Sequence, residues 1–332
     1  MGWPTVTAAN LAIFAVAMQT KVKGYIAGAV AAATYGTNPL FALPLYQEGM
    51  TASSVLFYRY VIGLPLVAVM LFARGHSLAV APRMVPPLMV MGVLMASSSW
   101  LLFESYNYMD AAIASTLLFV YPLMVALLMA VFFRQRVSLL TGVCIAGALA
   151  GIALLFRRPD DATLSLVGTA MVMLSSLAYA IYIIGVDSRR LRGIPTLKVI
   201  FYVLSAGVLV FGGLIAFDPA ESFAGPEKWY MWGCLLALAV LPTVVSFVCT
   251  TVASHYIGPT PTAILGALEP VTAVAIGVLA FGERLVATDY LGLVLIVGAV
   301  SLVVAGDSLG RVMVHFRKLF PRRMRGMARR RK

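Results

Sequence analysis

The sequence predicts an all-α membrane protein of ten transmembrane helices, arranged as two inverted five-helix repeats. Three observations carry this. Of the 332 residues, 61% are hydrophobic and only 11% are charged, whereas a water-soluble domain usually has about 25% charged residues. Apolar runs long enough to cross the hydrocarbon, roughly 20 residues each, recur between short loops that hold most of the charges. The chain also matches itself: Leu117, Pro122, Phe133 and Arg136 fall on Leu265, Pro270, Phe281 and Arg284 when the sequence is laid over itself. Lipid admits only helices and closed barrels as spanning backbone, and these runs far exceed the ~10-residue alternating strands of a barrel.

Taken in order, the expected spans are 24–46, 52–73, 84–106, 112–133, 138–156, 164–186, 197–217, 229–254, 262–281 and 286–306. Before them, residues 1–23 hold a short apolar patch, Leu11 to Met18, with no basic segment or cleavage site of a signal peptide, and read as an extension. The first repeat then covers 24–156, the second 164–306, and 307–332 is a basic tail. A second self-match sets Gly24, Tyr35, Gly49, Phe57 and Tyr58 on Gly168, Tyr179, Gly193, Phe201 and Tyr202, so the first helices of the two repeats correspond as well. Five helices is an odd number, so the two copies must cross the membrane in opposite senses. Such repeats place a binding site near the midplane and rock about it.

Charge sets the orientation. The loops on one side carry Lys21, Lys23, Arg74, Arg83, Arg134, Arg136, Arg189, Arg190, Arg192 and Lys198, and the other side only Arg157, Arg158, Lys228 and Arg284. The positive-inside rule therefore expects both termini in the cytoplasm, in a multi-pass protein of the cytoplasmic (inner) membrane. The formal charge of +12 is concentrated in the tail Arg311–Lys332. After a last span such a tail is expected to bind anionic lipid headgroups, not nucleic acid.

Several chemistries find no support. Cys144, Cys234 and Cys249 have no Cys-x-x-Cys spacing, and His76, His255 and His315 have no partner at metal-ligand spacing. There is no glycine-rich phosphate loop and no Ser-His-Asp grouping at a common depth. Neither a metal, a cofactor nor covalent catalysis is expected.

Specific residues then suggest a relationship. Tyr58-Arg59 early in the second span, the turn from Ser105-Tyr106-Asn107-Tyr108 to Ala114, the pair Glu269-Pro270, and Phe281-Gly282-Glu283-Arg284-Leu285 before the last helix together resemble the EamA-type members of the drug/metabolite transporter superfamily. The resemblance covers about 22–306 and implies ten helices in two repeats. It also implies export of amino acids or related metabolites, driven by a proton gradient or by the solute's own gradient. The first repeat departs from the pattern at Arg134-Gln135-Arg136, where the family often has Gly-Glu-Arg or Lys-Glu-Lys.

Charged side chains inside spans are costly and hence functional candidates. Glu269 is near mid-membrane, where a carboxyl group suits either proton exchange during transport, contact with substrate, or, neutral and hydrogen-bonded beside Pro270, helix packing. Its counterpart is Tyr121, so the site is asymmetric. Arg59 could hold a substrate carboxylate in its planar fork, snorkel to the interface, or pair with Glu48 or Glu104. Glu104 lies near Asn107 and the cluster Ser97-Ser98-Ser99-Trp100, either at the mouth of a cavity or as an interfacial charge. The aromatics Tyr35, Tyr58, Trp100, Tyr121, Tyr179 and Tyr182 sit inside spans, not at their ends, with Asn38 one turn after Tyr35. They are candidate cavity walls, with ordinary helix packing as the alternative.

The sequence thus points to a secondary transporter, an exporter of small metabolites, with protons as candidate co-substrate. Two rivals remain at this stage: a lipid-linked or nucleotide-sugar carrier, which needs several cations at mid-depth, and a membrane-embedded lipid enzyme, which needs a polar cluster at one interface.

Overall fold

Three of the helix breaks fall just ahead of a proline, while Pro44 and Pro65 stand inside unbroken helices. The computed structural model describes residues 8–133, 139–156, 165–217 (without 187, 189 and 192), 225–257, 262 and 265–302, and among them every regular element is helical. The order is α1 (Ala8–Tyr35), α2 (Asn38–Gln47), α3 (Ala52–Ala73), α4 (Val85–Ser105), α5 (Ala111–Leu118), α6 (Tyr121–Phe133), α7 (Leu139–Phe156), α8 (Leu166–Val186), α9 (Thr196–Phe217), α10 (Trp229–Ala239) and α11 (Ser246–Ile257). It closes with α12 (Leu268–Phe281) and α13 (Ala287–Leu302). Proline has no N–H and pushes the residue before it out of the helical region. Accordingly α2 begins with Pro39 in its first turn, α6 with Pro122, and α12 with Pro270.

Among the described residues six segments are long and apolar enough to cross a membrane: Ala52–Ala73, Pro82–Ser105, Ala111–Phe132, Leu166–Val186, Thr196–Phe217 and Trp229–Ala253. Gly142–Leu154, Leu268–Phe281 and Ala287–Leu302 are shorter apolar helices. Two expected spans are each divided in two, 24–46 at Gly36-Thr37 and 112–133 at Phe119-Val120, and two boundaries differ from the sequence expectation. The first helix starts at Ala8, because nothing between there and Gly24 breaks it, so residues 8–23 lengthen that helix. The expected run 262–281 forms a regular helix only from Leu268, since Gly266 and Ala267 make a turn ahead of Pro270. The basic tail and Arg134-Gln135-Arg136 lie outside the described residues.

The most extensive helix packing joins the first half of the chain to the second: α1 with α11, α4 with α8, and both α3 and α4 with α9. Small residues make this approach close. Serines then satisfy backbone and each other across the seam. Ser98 Oγ donates to the Ser175 carbonyl at 2.9 Å, and Ser175 Oγ donates to the Ser98 carbonyl at 2.6 Å. Ser176 Oγ donates to the Leu118 carbonyl at 3.0 Å, one of the groups freed where α5 stops. Large apolar side chains such as Phe103, Phe119, Phe211 and Leu117 are buried between the halves, while Phe132, Leu139, Phe217 and Leu279 point outward, as a lipid-facing surface requires.

One end of the bundle is fastened by contacts between the halves. Lys228 pairs with Glu48 at 2.5 Å, and the Tyr230 hydroxyl donates to the same carboxylate. Both hydrogen bonds hold the Glu48 carboxyl below the usual carboxylate range, Lys228 contributing most. Nearby, Gly282 takes a left-handed conformation, φ 67°, that ends α12 and turns Glu283 back over it. The Glu283 N–H donates to the Gly277 carbonyl at 2.9 Å. Its carboxylate accepts the backbone N–H groups of Ala111 at 3.1 Å and Ala112 at 3.4 Å, capping the start of α5. A Cβ at Gly277 would run into that carboxylate. The sequence Phe281-Gly282-Glu283-Arg284 is therefore a latch from the second half onto the first.

Candidate transport site

The helix breaks converge. Gly36, in the turn between α1 and α2, faces the carbonyl of Glu269 and the side chain of Thr272, and a Cβ there would lie 2.6 Å and 2.7 Å from them. Glu269 is the second residue of α12 and Tyr121 the first residue of α6, so the two corresponding positions both stand just after an interruption. Both line a cavity of about 260 Å3 together with Tyr35 and Tyr179. Gly28, Thr250, Thr262 and Gly266 extend its wall toward the end opposite the latch.

Aromatic edges order the wall. The rings of Tyr121 and Tyr179 meet edge to face at 4.7 Å, and Tyr179 stacks on Tyr182 at 5.9 Å. Rings so placed are held by each other and present both an apolar face and a hydroxyl. Among the described residues no hydrogen bond or ion pair reaches the Glu269 carboxylate.

Arg59, on α3, is 6% exposed. Its Nε–H donates to Thr243 Oγ1 and an Nη1–H donates to Asn38 Oδ1, both at 3.0 Å, and the guanidinium lies 5.5 Å from the Phe103 ring centre. Both acceptors are themselves fixed. Asn38 Nδ2 donates to the Tyr35 carbonyl at 2.9 Å. Thr243 lies in the π-helical turn Val240–Val245, where Pro242 cannot donate to the Leu238 carbonyl, and the Thr243 hydroxyl donates to it instead at 3.1 Å. The expected pairing of Arg59 with Glu48 or Glu104 is not what the structure shows, because Glu48 belongs to Lys228 and Glu104 accepts from Asn107 Nδ2 at 3.2 Å. Snorkelling is excluded by its burial.

A hollow of about 20 Å3 beside Arg59 is lined by Tyr35, Tyr182, Thr243 and Phe247 among others. It shares Tyr35 and Phe247 with the main cavity. A further cavity of about 290 Å3 shares Tyr182 and Phe247 with it and runs along Val186, Leu191 and Ile194. Three residues singled out in the sequence stand apart from these spaces. Tyr58 packs edge to face on Trp232 at 5.8 Å, Trp100 Nε1–H donates to Ser53 Oγ at 3.0 Å, and Glu104 is half-buried beside Asn107. Thr243, Phe247 and Glu283 were not among the sequence candidates. Pro242 was the signal for the first, and the Gly-Glu-Arg motif for the last.

Comparison with known proteins gives one family and a consistent set of relatives. The EamA-like transporter family matches residues 22–157 and again 166–305. An uncharacterized transporter of Archaeoglobus fulgidus is 28% identical over 193 residues, 58% of this chain and 67% of that protein. An uncharacterized transporter of Synechocystis, sll1319, is 27% identical over 215 residues, 64% of each chain. The pseudopaline exporter CntI of Pseudomonas aeruginosa is 27% identical over 206 residues, 62% of this chain and 70% of that one. One solved crystal structure shares the fold, with a TM-score of 0.61 at 20% identity over 87% of this chain and 98% of the other.

Proposed function

The chain belongs to the EamA-like transporter family and is a membrane transporter, and on that premise we propose that it is a secondary exporter of small metabolites such as amino acids, working by alternating access. One observation carries the reading. The cavity holding Tyr35, Tyr121, Tyr179 and Glu269 extends toward one end of the bundle, while the other end is fastened by Glu48 with Lys228 and by Glu283 on Ala111 and Ala112. A site reached from one end and latched at the other is half of an alternating cycle. Two copies of one repeat, of opposite orientation, supply the second half by exchanging the roles of the ends, and the double family match supports that division.

The positive-inside bias places the latched end outside and the open end toward the cytoplasm, with both termini inside the cytoplasmic membrane. Solute enters from the cytoplasm, settles among the tyrosines, and leaves when the latch at Glu283 parts. The name of the Pseudomonas relative supports the outward direction. Glu269, a carboxyl group on the cavity wall with no hydrogen bond to the described residues, is the group that takes up and gives back the coupling proton. The test is counterflow and pH-gradient-driven flux of labelled amino acids in proteoliposomes of the full chain. Gradient-dependent accumulation bears the proposal out; equal flux in protein-free vesicles for every solute tried defeats it.

A further inference from the structure

We propose that Arg59 is the anion-binding pole of the transport site, and that the transported solute carries a carboxylate which it holds; the inference rests on the transport reading above and deepens it. The reasoning begins with a charge. A guanidinium is ionised at any physiological pH, and burying it costs several kcal/mol unless an anion and hydrogen bonds offset the loss of water. Arg59 is 6% exposed and has two neutral acceptors, Thr243 and Asn38. Among the described residues no carboxylate lies within ion-pairing distance of it. Its two protein bonds use one N–H at Nε and one at Nη1, so the remaining N–H groups, those of Nη2 among them, are not hydrogen-bonded to the described residues. Such donors on a guanidinium are what a carboxylate oxygen takes up.

The surroundings bear on the same point. The hollow beside Arg59 holds a group about the size of one water. It adjoins the main cavity through Tyr35 and Phe247, so an oxygen of a solute seated among the tyrosines can reach it while the body of that solute stays in the larger space. Met95, Ile200, Val203 and Leu204 give the hollow apolar walls, and the Tyr60 hydroxyl that also lines it is already paired with Ser99 Oγ at 2.9 Å. Charge count sets the class. Among the described residues no second cation faces the hollow, which suits a monoanion and disfavours phosphate esters and diphosphates, whose charge calls for several cations.

Thr243 and Asn38 act as positioning residues. Asn38 ties the pole to the break after α1, and Thr243 ties it to the π-helical turn of the other half. An anion arriving at Arg59 thus meets a group held by both halves at once. This is where binding can be felt by the movement that follows.

The test uses the full-length protein in detergent and a defined panel: the twenty amino acids, their methyl esters, the corresponding amines, simple hydroxy and keto acids, and inorganic phosphate, read by thermal shift and then by competition against the best hit. The expected result is stabilisation by at least one carboxylate, at least tenfold weaker binding of its methyl ester, and no response to phosphate. Arg59→Gln should lose the preference for acid over ester, and Arg59→Lys should keep part of it. Should Arg59→Gln fail to fold, Thr243→Val, which frees Nε without removing the charge, should weaken the acid several-fold and leave the ester unchanged. Equal binding of acid and ester, an unaltered acid preference in both the Arg59→Gln and Thr243→Val proteins, or no response to any carboxylate overturns the assignment. A hydroxy or keto acid that binds where amino acids do not would retain Arg59 as the anion pole and remove the amino-acid reading; flux that persists with esters and acids alike would retain transport and remove Arg59.

Discussion

Two stretches of this chain are built alike and do different work. Phe119-Val120 interrupts one apolar segment ahead of Tyr121-Pro122, and Gly266-Ala267 interrupts its counterpart ahead of Leu268-Glu269-Pro270. Each interruption ends in a short helix, α6 or α12, whose first residues face the same cavity. The backbone is shared, but a phenol stands at one position and a carboxylic acid at the other. The difference teaches that the repeat supplies geometry, while a single side chain supplies ionisable chemistry. Tyr121 has an aromatic partner in Tyr179, and Glu269 has no hydrogen-bonded partner among the described residues.

The largest test of that comparison is Glu269→Gln. It keeps shape and removes the charge, so pH-gradient-driven flux in proteoliposomes should fall to background while counterflow without a gradient persists. An unaltered response to pH in this variant would remove the coupling role. Exchanging the two residues, Tyr121→Glu together with Glu269→Tyr, sharpens the point. Driven flux in the exchanged protein above that of Glu269→Tyr alone would mean the two positions are equivalent, and none would mean that the flanking helix matters.

Tyr121→Phe should have a smaller effect. It removes a hydroxyl from the cavity wall and leaves the ring packing, so solute affinity should drop by several-fold, in line with about 1 kcal/mol for a hydrogen bond, with little change in melting temperature. The latch compares the two halves at the other end of the same helices. Glu283→Ala uncaps α5, a loss of about 1–2 kcal/mol by analogy with helix caps. It should favour the unlatched form, read as several-fold faster maleimide labelling of a cysteine introduced at the buried Ser115.

The exposed clasp should matter least. Lys228→Ala is expected to change the same labelling rate by less than about twofold, since exposed ion pairs contribute little. The sign with pH follows from Glu48, whose carboxyl is held low by Lys228 and Tyr230. The clasp is complete at neutral pH and is lost as pH falls through that lowered value. The difference between Lys228→Ala and the wild-type protein should therefore vanish in acid; a difference that grows in acid would contradict it.

Much of the architecture was legible in the sequence. Apolar length and the rule that lipid admits only satisfied backbone gave the helical membrane class, but the breaks inside the expected spans 24–46 and 112–133 were not legible, because proline also stands inside unbroken helices at Pro44 and Pro65. Glu269 and Tyr121 could be matched to each other by the repeat alone, and both line the cavity. The start of the first helix was harder to read, because the patch before Gly24 carries no proline or glycine to stop a helix and too little apolar length to announce a span. Tyr58, Trp100 and Glu104 looked like cavity residues by depth, yet depth does not fix the direction in which a side chain points around the helix.

What the sequence determined by itself was therefore the set of properties that depend on neighbours along the chain: the membrane class, the asymmetry between Tyr121 and Glu269, and the turn at Gly282. What only the tertiary structure decided was convergence. Arg59 meets Thr243 across 184 positions of sequence, and Glu283 caps Ala111 across 172. Those meetings depend on how α3 packs beside the π-helical turn and how α12 packs beside α5. Apolar length is a property of consecutive residues, so a one-dimensional reading finds it; a buried guanidinium finds its acceptors only when two distant helices come to rest against each other.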